Sequence, residues 1–130
     1  MKKVYLATPY SHMNPDVQQA RFAAVNAVAA RMMADGLLVF SPISHTHPIA
    51  LAGNLPKGWD YWQQYDLTFI RWADEVHVLL LDGWAESVGV TAEIALAESL
   101  GKPVRYINPE SRDTLTVASV PPIDGGLFGE

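Results

Sequence analysis

The seven residues from Glu75 to Leu81, EVHVLLL, constrain this chain more than any others. A strand with one wet face alternates apolar and polar side chains. This one is apolar at five of seven positions, with Val78 to Leu81 in an unbroken row, and needs cover on both faces, which a sheet flanked by helices supplies. The flanks agree. Tyr61, Tyr65, Phe69 and Trp72 recur at helical spacing before it, and a second helical pattern runs from about Val90 to Leu100 after it. With 130 residues, 49% of them hydrophobic, the chain is long enough for one sizeable core and too short for two ordinary domains.

The rest of the chain repeats that alternation. Lys3 to Thr8 reads as a strand closed by Pro9, because proline cannot donate to a central ladder. Pro15 to Ala34 reads as a helix with Val17, Ala20, Ala24, Val25, Val28, Ala29 and Met32 at helical spacing, Asn14 as its cap and Gly36 just past its end. Leu37 to Phe40 is a second strand. Its continuation, SPISHTHPIALAGNLPKG, holds three prolines and two glycines and is expected to be a long loop or a short broken helix. Gly101 and Lys102 end the helix after strand three, and Pro103 to Ile107 starts a fourth strand. The order βαβαβαβ predicts an α/β fold: a single doubly wound, Rossmann- or flavodoxin-like sheet of four to five mostly parallel strands with helices on both faces. The domain is expected to span residues 1–110. Residues 111–130 form an irregular tail in which Leu115 to Val120 is an optional edge strand and the Gly-Gly pair and terminal LFGE are free to dock on a neighbouring subunit.

In such a sheet strands one and three lie side by side, and the crevice at their carboxyl ends is the expected ligand site. Tyr5, Thr8, Pro9 and Ser11 then come near Asp82, Ser87, Gly89 and Glu93. Glu93 is placed in the first turn or so of an almost wholly apolar helix, where the macrodipole favours a carboxylate and small neighbours leave room for a ligand. A solvated helix acid is the plainer alternative. Ser87 is either an ordinary cap or, with the Gly89 amide and the free N–H groups of that helix, an anion contact. Asp66, on the helix before strand three, is a surface acid in the plainer reading, and Asp82-Gly83 is a turn pair as well as a crevice residue.

Several function classes fall away. The net charge of -5 argues against a nucleic-acid backbone binder, and zero cysteines exclude disulfides and thiolate chemistry. No apolar run approaches the about 20 residues that span a bilayer, so neither nucleic acid nor membrane is an expected partner. The start MKKVYLATPY has no apolar signal segment, which leads to an expected cytoplasmic location. His45-Thr-His47 suggests a metal, but two alternating loop histidines supply no third or fourth ligand, and no metal is expected. His45 or His47 lining a nucleotide pocket is the alternative, with Trp59 and Trp62 as a stacking face. The first turn, ATPYSHMNPD, holds no glycine and matches neither the Walker loop nor the dinucleotide fingerprint.

Four segments together resemble the nucleoside 2-deoxyribosyltransferase-like superfamily, which includes the 2'-deoxynucleoside 5'-phosphate N-hydrolases. They are Val4-Tyr5-Leu6-Ala7-Thr8-Pro9, Arg21 on the first helix, Asp66 through Ala73-Asp74, and Ser87-Val-Gly-Val-Thr-Ala-Glu-Ile94 with Gly101-Lys-Pro103, in order over roughly residues 3–107. The resemblance implies that Glu93 attacks the anomeric carbon, that Asp66 assists the base or sugar, and that Tyr5 stands beside the nucleophile. It also implies Ser87 as a 5'-phosphate contact, Arg21 as substrate-binding, no cofactor, a nucleoside or nucleotide as small-molecule partner, and a homo-oligomer. The first loop, Thr8-Pro9-Tyr10-Ser11, departs from the Gly-Ser-rich basic loop of the phosphate hydrolases. The implied activity is cleavage of an N-glycosidic bond or deoxyribosyl transfer. The alternatives are a non-catalytic nucleotide-sensing module using the same crevice and a structural subunit of a larger assembly.

Overall fold

The computed structural model describes residues 1–56, 58–110 and 114–115. The expected tail at 111–130, apart from the backbone of Thr114 and Leu115, lies outside the described residues. Five strands form one sheet in the order β2-β1-β3-β4-β5, with β1 Lys3–Ala7, β2 Leu38–Phe40, β3 Glu75–Leu79, β4 Val104–Ile107 and β5 Thr114–Leu115. The first four pair in parallel and β5 adds antiparallel to β4. This is the doubly wound arrangement, with β1 and β3 adjacent in a register that sets Tyr5 opposite Val76.

Helix α1, Pro15–Ala34, starts where the Asn14 side chain accepts from the Asp16 N–H and Pro15 occupies the first turn, whose N–H groups lack helical partners in any case. Gly36, at φ +94, turns the chain after it. α1 covers one face of the sheet, burying Val25, Val28, Ala29 and Met32 against Val4, Leu6 and Leu79. Helices α3, Trp59–Trp72, and α4, Val88–Ser99, cover the other, where Ile70, Val90 and Ala97 pack on Tyr5, Val76 and Val78. All five residues of β3 are buried, the polar Glu75 and His77 included.

One expectation is corrected. The segment read as a long loop or short broken helix contains a twelve-residue helix, α2, Pro42–Gly53. Pro42 opens the first turn behind Ser41, where a helix tolerates proline, and Pro48 lies inside the helix on its exposed side. Helix α4 is apolar without being buried all round. It leaves Thr91, Ala95 and Glu98 exposed, because α3 and the sheet cover only one side of it.

Candidate functional site

The carboxyl ends of β1 and β3 open into a cavity of about 990 Å³, at the large end for a small-molecule site. At its floor stand Glu93 and Asp66, from the two helices of one face. Tyr5 lies directly behind them, fully buried in β1, and its hydroxyl donates to Glu93 Oε2 at 2.5 Å. On α3, Trp59, Trp62 and Asp66 follow one another at three and four residues, the spacing of a single helical face, and all three line the cavity.

The three polar groups are electrostatically tied. Burial raises the Glu93 carboxyl well above its ordinary range, and the neighbouring Asp66 charge adds to the rise, while the Tyr5 hydrogen bond pulls the other way. Burial also lifts Asp66 to about 6, against the lowering effect of its hydrogen bonds to Glu93 and Tyr5. Tyr5 is raised by burial first and then by both carboxylates, so it stays a protonated donor. Two carboxyls in hydrogen-bonding contact cannot both ionise cheaply in a dry site, so the pair shares a proton over a range of pH. Glu93 is the sixth residue of α4 rather than a first-turn residue, so the macrodipole, which fades within one turn, is not what sets its charge.

The cavity walls come from two loops. Thr8, Tyr10 and Ser11 follow β1, and Leu81, Asp82 and Gly83 follow β3. Arg21 on α1 joins them, its Nη1 donating to the Ser11 carbonyl at 3.1 Å and its Nη2 to the Asp82 carbonyl at 3.0 Å. The buried Thr8 hydroxyl has no hydrogen-bond partner among the described residues. Ser87 and Gly89 line the cavity where α4 begins, and the Ser87 hydroxyl accepts from the Val90 N–H at 3.2 Å, which is the capping role.

Three of the residues expected at the site sit elsewhere. Pro9 is fully buried away from the cavity lining, His45 is exposed with its ring near Phe40, and His47 is buried against Phe22. His47 instead serves the wall from behind, its Nδ1 2.5 Å from the Tyr10 hydroxyl and its Nε2 3.2 Å from Gln19 Oε1. The helical conformation of α2 decides this, since it sends Pro42, Ile43 and Thr46 toward the cavity in place of the histidines. Cavity residues that sequence reasoning missed include Tyr10, Asp16 and Glu86. Asp16 was legible as the first-turn acid of α1, and Glu86 sits one residue before the cap of α4. Among the described residues no group of three or more His, Cys, Asp or Glu is placed to hold a metal ion, and no helix is long and apolar enough to cross a membrane.

A family model described as "Domain of unknown function (DUF1937)" matches residues 2–108. No curated protein matches the chain. Among solved structures the fold is similar to "2-desoxiribosyltransferase from Leishmania mexicana", with 22% identity, a TM-score of 0.56, and coverage of 83% of this chain and 65% of that one. It is also similar to the 2-deoxyribosyltransferase from the psychrotolerant bacterium Bacillus psychrosaccharolyticus, with 24% identity, a TM-score of 0.52, and coverage of 89% of this chain and 78% of that one. The chain thus spans just under two thirds of the length of the Leishmania protein. At these identities the likeness is one of fold, and the fold is deoxyribosyltransferase-like.

Proposed function

The chain belongs to the family described as Domain of unknown function (DUF1937), and on its deoxyribosyltransferase-like fold we propose an enzyme that cleaves the N-glycosidic bond of a nucleoside, with Glu93 as nucleophile. The observation that carries the reading is the buried Tyr5–Glu93–Asp66 group at the floor of the crevice between β1 and β3. A carboxyl kept dry and hydrogen-bonded by a phenol suits attack on an oxocarbenium-like carbon better than it suits stability.

In the first step Glu93 Oε forms a bond to the anomeric carbon as the carbon–nitrogen bond breaks, and its electron pair leaves with the base. Asp66, holding the shared proton, gives it to a base nitrogen. In the second step water attacks the same carbon, the ester to Glu93 breaks, and the water proton passes to Asp66, which restores the pair. If a second base takes the place of water, the product is a new nucleoside, so hydrolysis and transfer differ only in the acceptor. Trp59 and Trp62 offer the leaving base an aromatic wall on the same helical face as Asp66.

The charge around the cavity favours a nucleoside over its 5'-monophosphate. Asp16, Asp66, Asp82, Glu86 and Glu93 line it against the single arginine Arg21, whose two Nη atoms already serve backbone carbonyls. The Ser11 and His12 carbonyls are taken by Arg21 and Gln18, so this first loop turns carbonyls toward α1 and is not built as a nest of N–H groups for phosphate. Ser87 accepts from the Val90 N–H as the cap of α4, and its hydroxyl proton stays available to a substrate oxygen. We extend the reading to a homo-oligomer: α3 leaves Tyr61, Tyr65 and Trp72 exposed, and light scattering on the purified chain measures the subunit count.

The test is incubation with a panel of ribo- and deoxyribonucleosides and their 5'-monophosphates, following free base by chromatography. Base release from nucleosides that disappears in Glu93→Gln is expected. A Glu93→Gln protein with undiminished turnover would refute the nucleophile, and tight binding with no base released from any substrate would favour the sensing module.

A further inference from the structure

We propose that Arg21 is a positioning residue, a strap that fixes the width of the crevice by tying its two walls to α1, and that its guanidinium is not an anion contact. Its two Nη atoms reach carbonyls 71 residues apart in sequence, Ser11 in the loop after β1 and Asp82 in the loop after β3. The planar fork of arginine holds two acceptors at a fixed separation, which a single ammonium does not reproduce. Both loops run on into the chemistry: the first follows directly from the strand that carries Tyr5, and the second leads through a short 3-10 helix, Trp84–Glu86, to the Ser87 cap of the helix that carries Glu93.

The second wall is shaped to receive the strap. Gly83 takes φ +90, and a Cβ there would lie 2.7 Å from Arg21 Nη2. A side chain at 83 would therefore be strained in its backbone and would also push the guanidinium off the Asp82 carbonyl. The first wall is held a second time from the same helix, since Gln18, one turn before Arg21, donates to the His12 carbonyl at 2.8 Å. α1 thus presents two donors to one loop and bridges to the other with the second of them.

The inference rests on the crevice being the active site only for its kinetic arm, and hydrogen exchange tests it separately. Arg21→Lys and Arg21→Met are compared with the unaltered protein by amide exchange at Asn14 and Trp84, one in each wall, with Val78 in the buried β3 as control. Both variants are expected to exchange about tenfold faster at the wall amides, the factor that losing one charge-assisted hydrogen bond corresponds to, with Val78 unchanged. Gly83→Ala, which leaves the arginine in place but displaces it, is expected to do the same at Trp84. Wild-type exchange at both walls in Arg21→Lys would overturn the strap. With a turned-over nucleoside, both Arg21 variants are expected to lose about 10- to 100-fold in kcat with little change in KM, as small misplacements of catalytic groups do. A loss confined to phosphorylated substrates and repaired by lysine would show a charge contact instead.

Discussion

Glu93 is maintained against its own stability. Its carboxyl is 4% exposed and its proton affinity is raised by burial and by Asp66, so the folded state binds a proton that the unfolded chain releases near neutral pH. A group raised in this way costs stability as pH rises above its unfolded value, by linkage. Glu93→Gln removes the penalty. It is expected to abolish base release while raising thermal stability, by about 1 kcal/mol in the usual range of such trade-offs, and differential scanning calorimetry at pH 7.5 checks it. The same coupling sets the pH profile. Activity needs one proton on the pair, so kcat/KM should fall below about 6, where Asp66 and Glu93 are both protonated. Asp66→Asn removes a neighbouring charge that raises Glu93 and should move the acid limb to lower pH. Tyr5→Phe removes a hydrogen bond that lowers Glu93 and should move that limb up. Equal shifts in one direction, or none, would dissociate these residues from the nucleophile. The sequence made Glu93 noticeable as an acid among alanines, whereas Asp66 read as a surface acid and only the family resemblance gave it a role. Their contact depends on how α3 packs on α4, a distance of 27 residues along the chain that no periodicity encodes.

At the scale of elements, legibility followed local punctuation. Asn14, Pro15 and Gly36 carry their own backbone geometry, and α1 begins and ends where they stand. β3 was expected to need cover on both faces and has it, although two of its five residues, Glu75 and His77, are polar. The segment after β2 was misjudged because prolines and glycines were counted without regard to place: Ser41-Pro42 is a cap with a first-turn proline, Gly53 closes the helix, and Asn54 takes the left-handed conformation that ends it. Position, not composition, decides whether proline breaks a helix. The helix then explains the misplaced histidines, since a three- to four-residue period gives the cavity Pro42, Ile43 and Thr46 and turns His45 to solvent. Ser87 belongs to this scale as well. Its hydroxyl caps the Val90 N–H, so Ser87→Ala should destabilise the fold by about 1 kcal/mol, measured by urea denaturation. It should leave KM for a nucleoside nearly unchanged. A large rise in KM with stability intact would make the serine a substrate contact before a cap.

Among the described residues two buried acid centres stand in different states, one toward each end of the central strand. Glu93 lies beyond the carboxyl end of β3 and shares a proton with Asp66, whereas Glu75 opens β3 with its proton driven off. Burial alone would raise Glu75, but hydrogen bonds from His77, Lys2 and Arg105 outweigh it and hold the carboxyl at about 2. Its contacts are His77 Nε2 at 2.7 Å, Arg105 Nε at 3.0 Å and Lys2 Nζ at 3.2 Å, which join β3 and β4 to the start of the chain. His77 is itself lowered, chiefly by burial, so at neutral pH the neutral ring donates and the two flexible cations supply the charge. A carboxyl lowered on folding contributes stability that is complete above its unfolded value and disappears as pH falls through the folded one, so the loss falls between about pH 4.5 and about pH 2. Glu75→Gln should cost about 2 kcal/mol at pH 7, less than a fully dry ion pair because Lys2 and Arg105 are about half exposed and rehydrate when their partner is gone. The cost should vanish by pH 2, where the parent protein has lost the same contribution. Chemical denaturation of both proteins across that range separates the cases: parallel stability curves would mean that the cluster does not titrate with folding, whereas curves that converge toward acid place the charge at the amino end of β3.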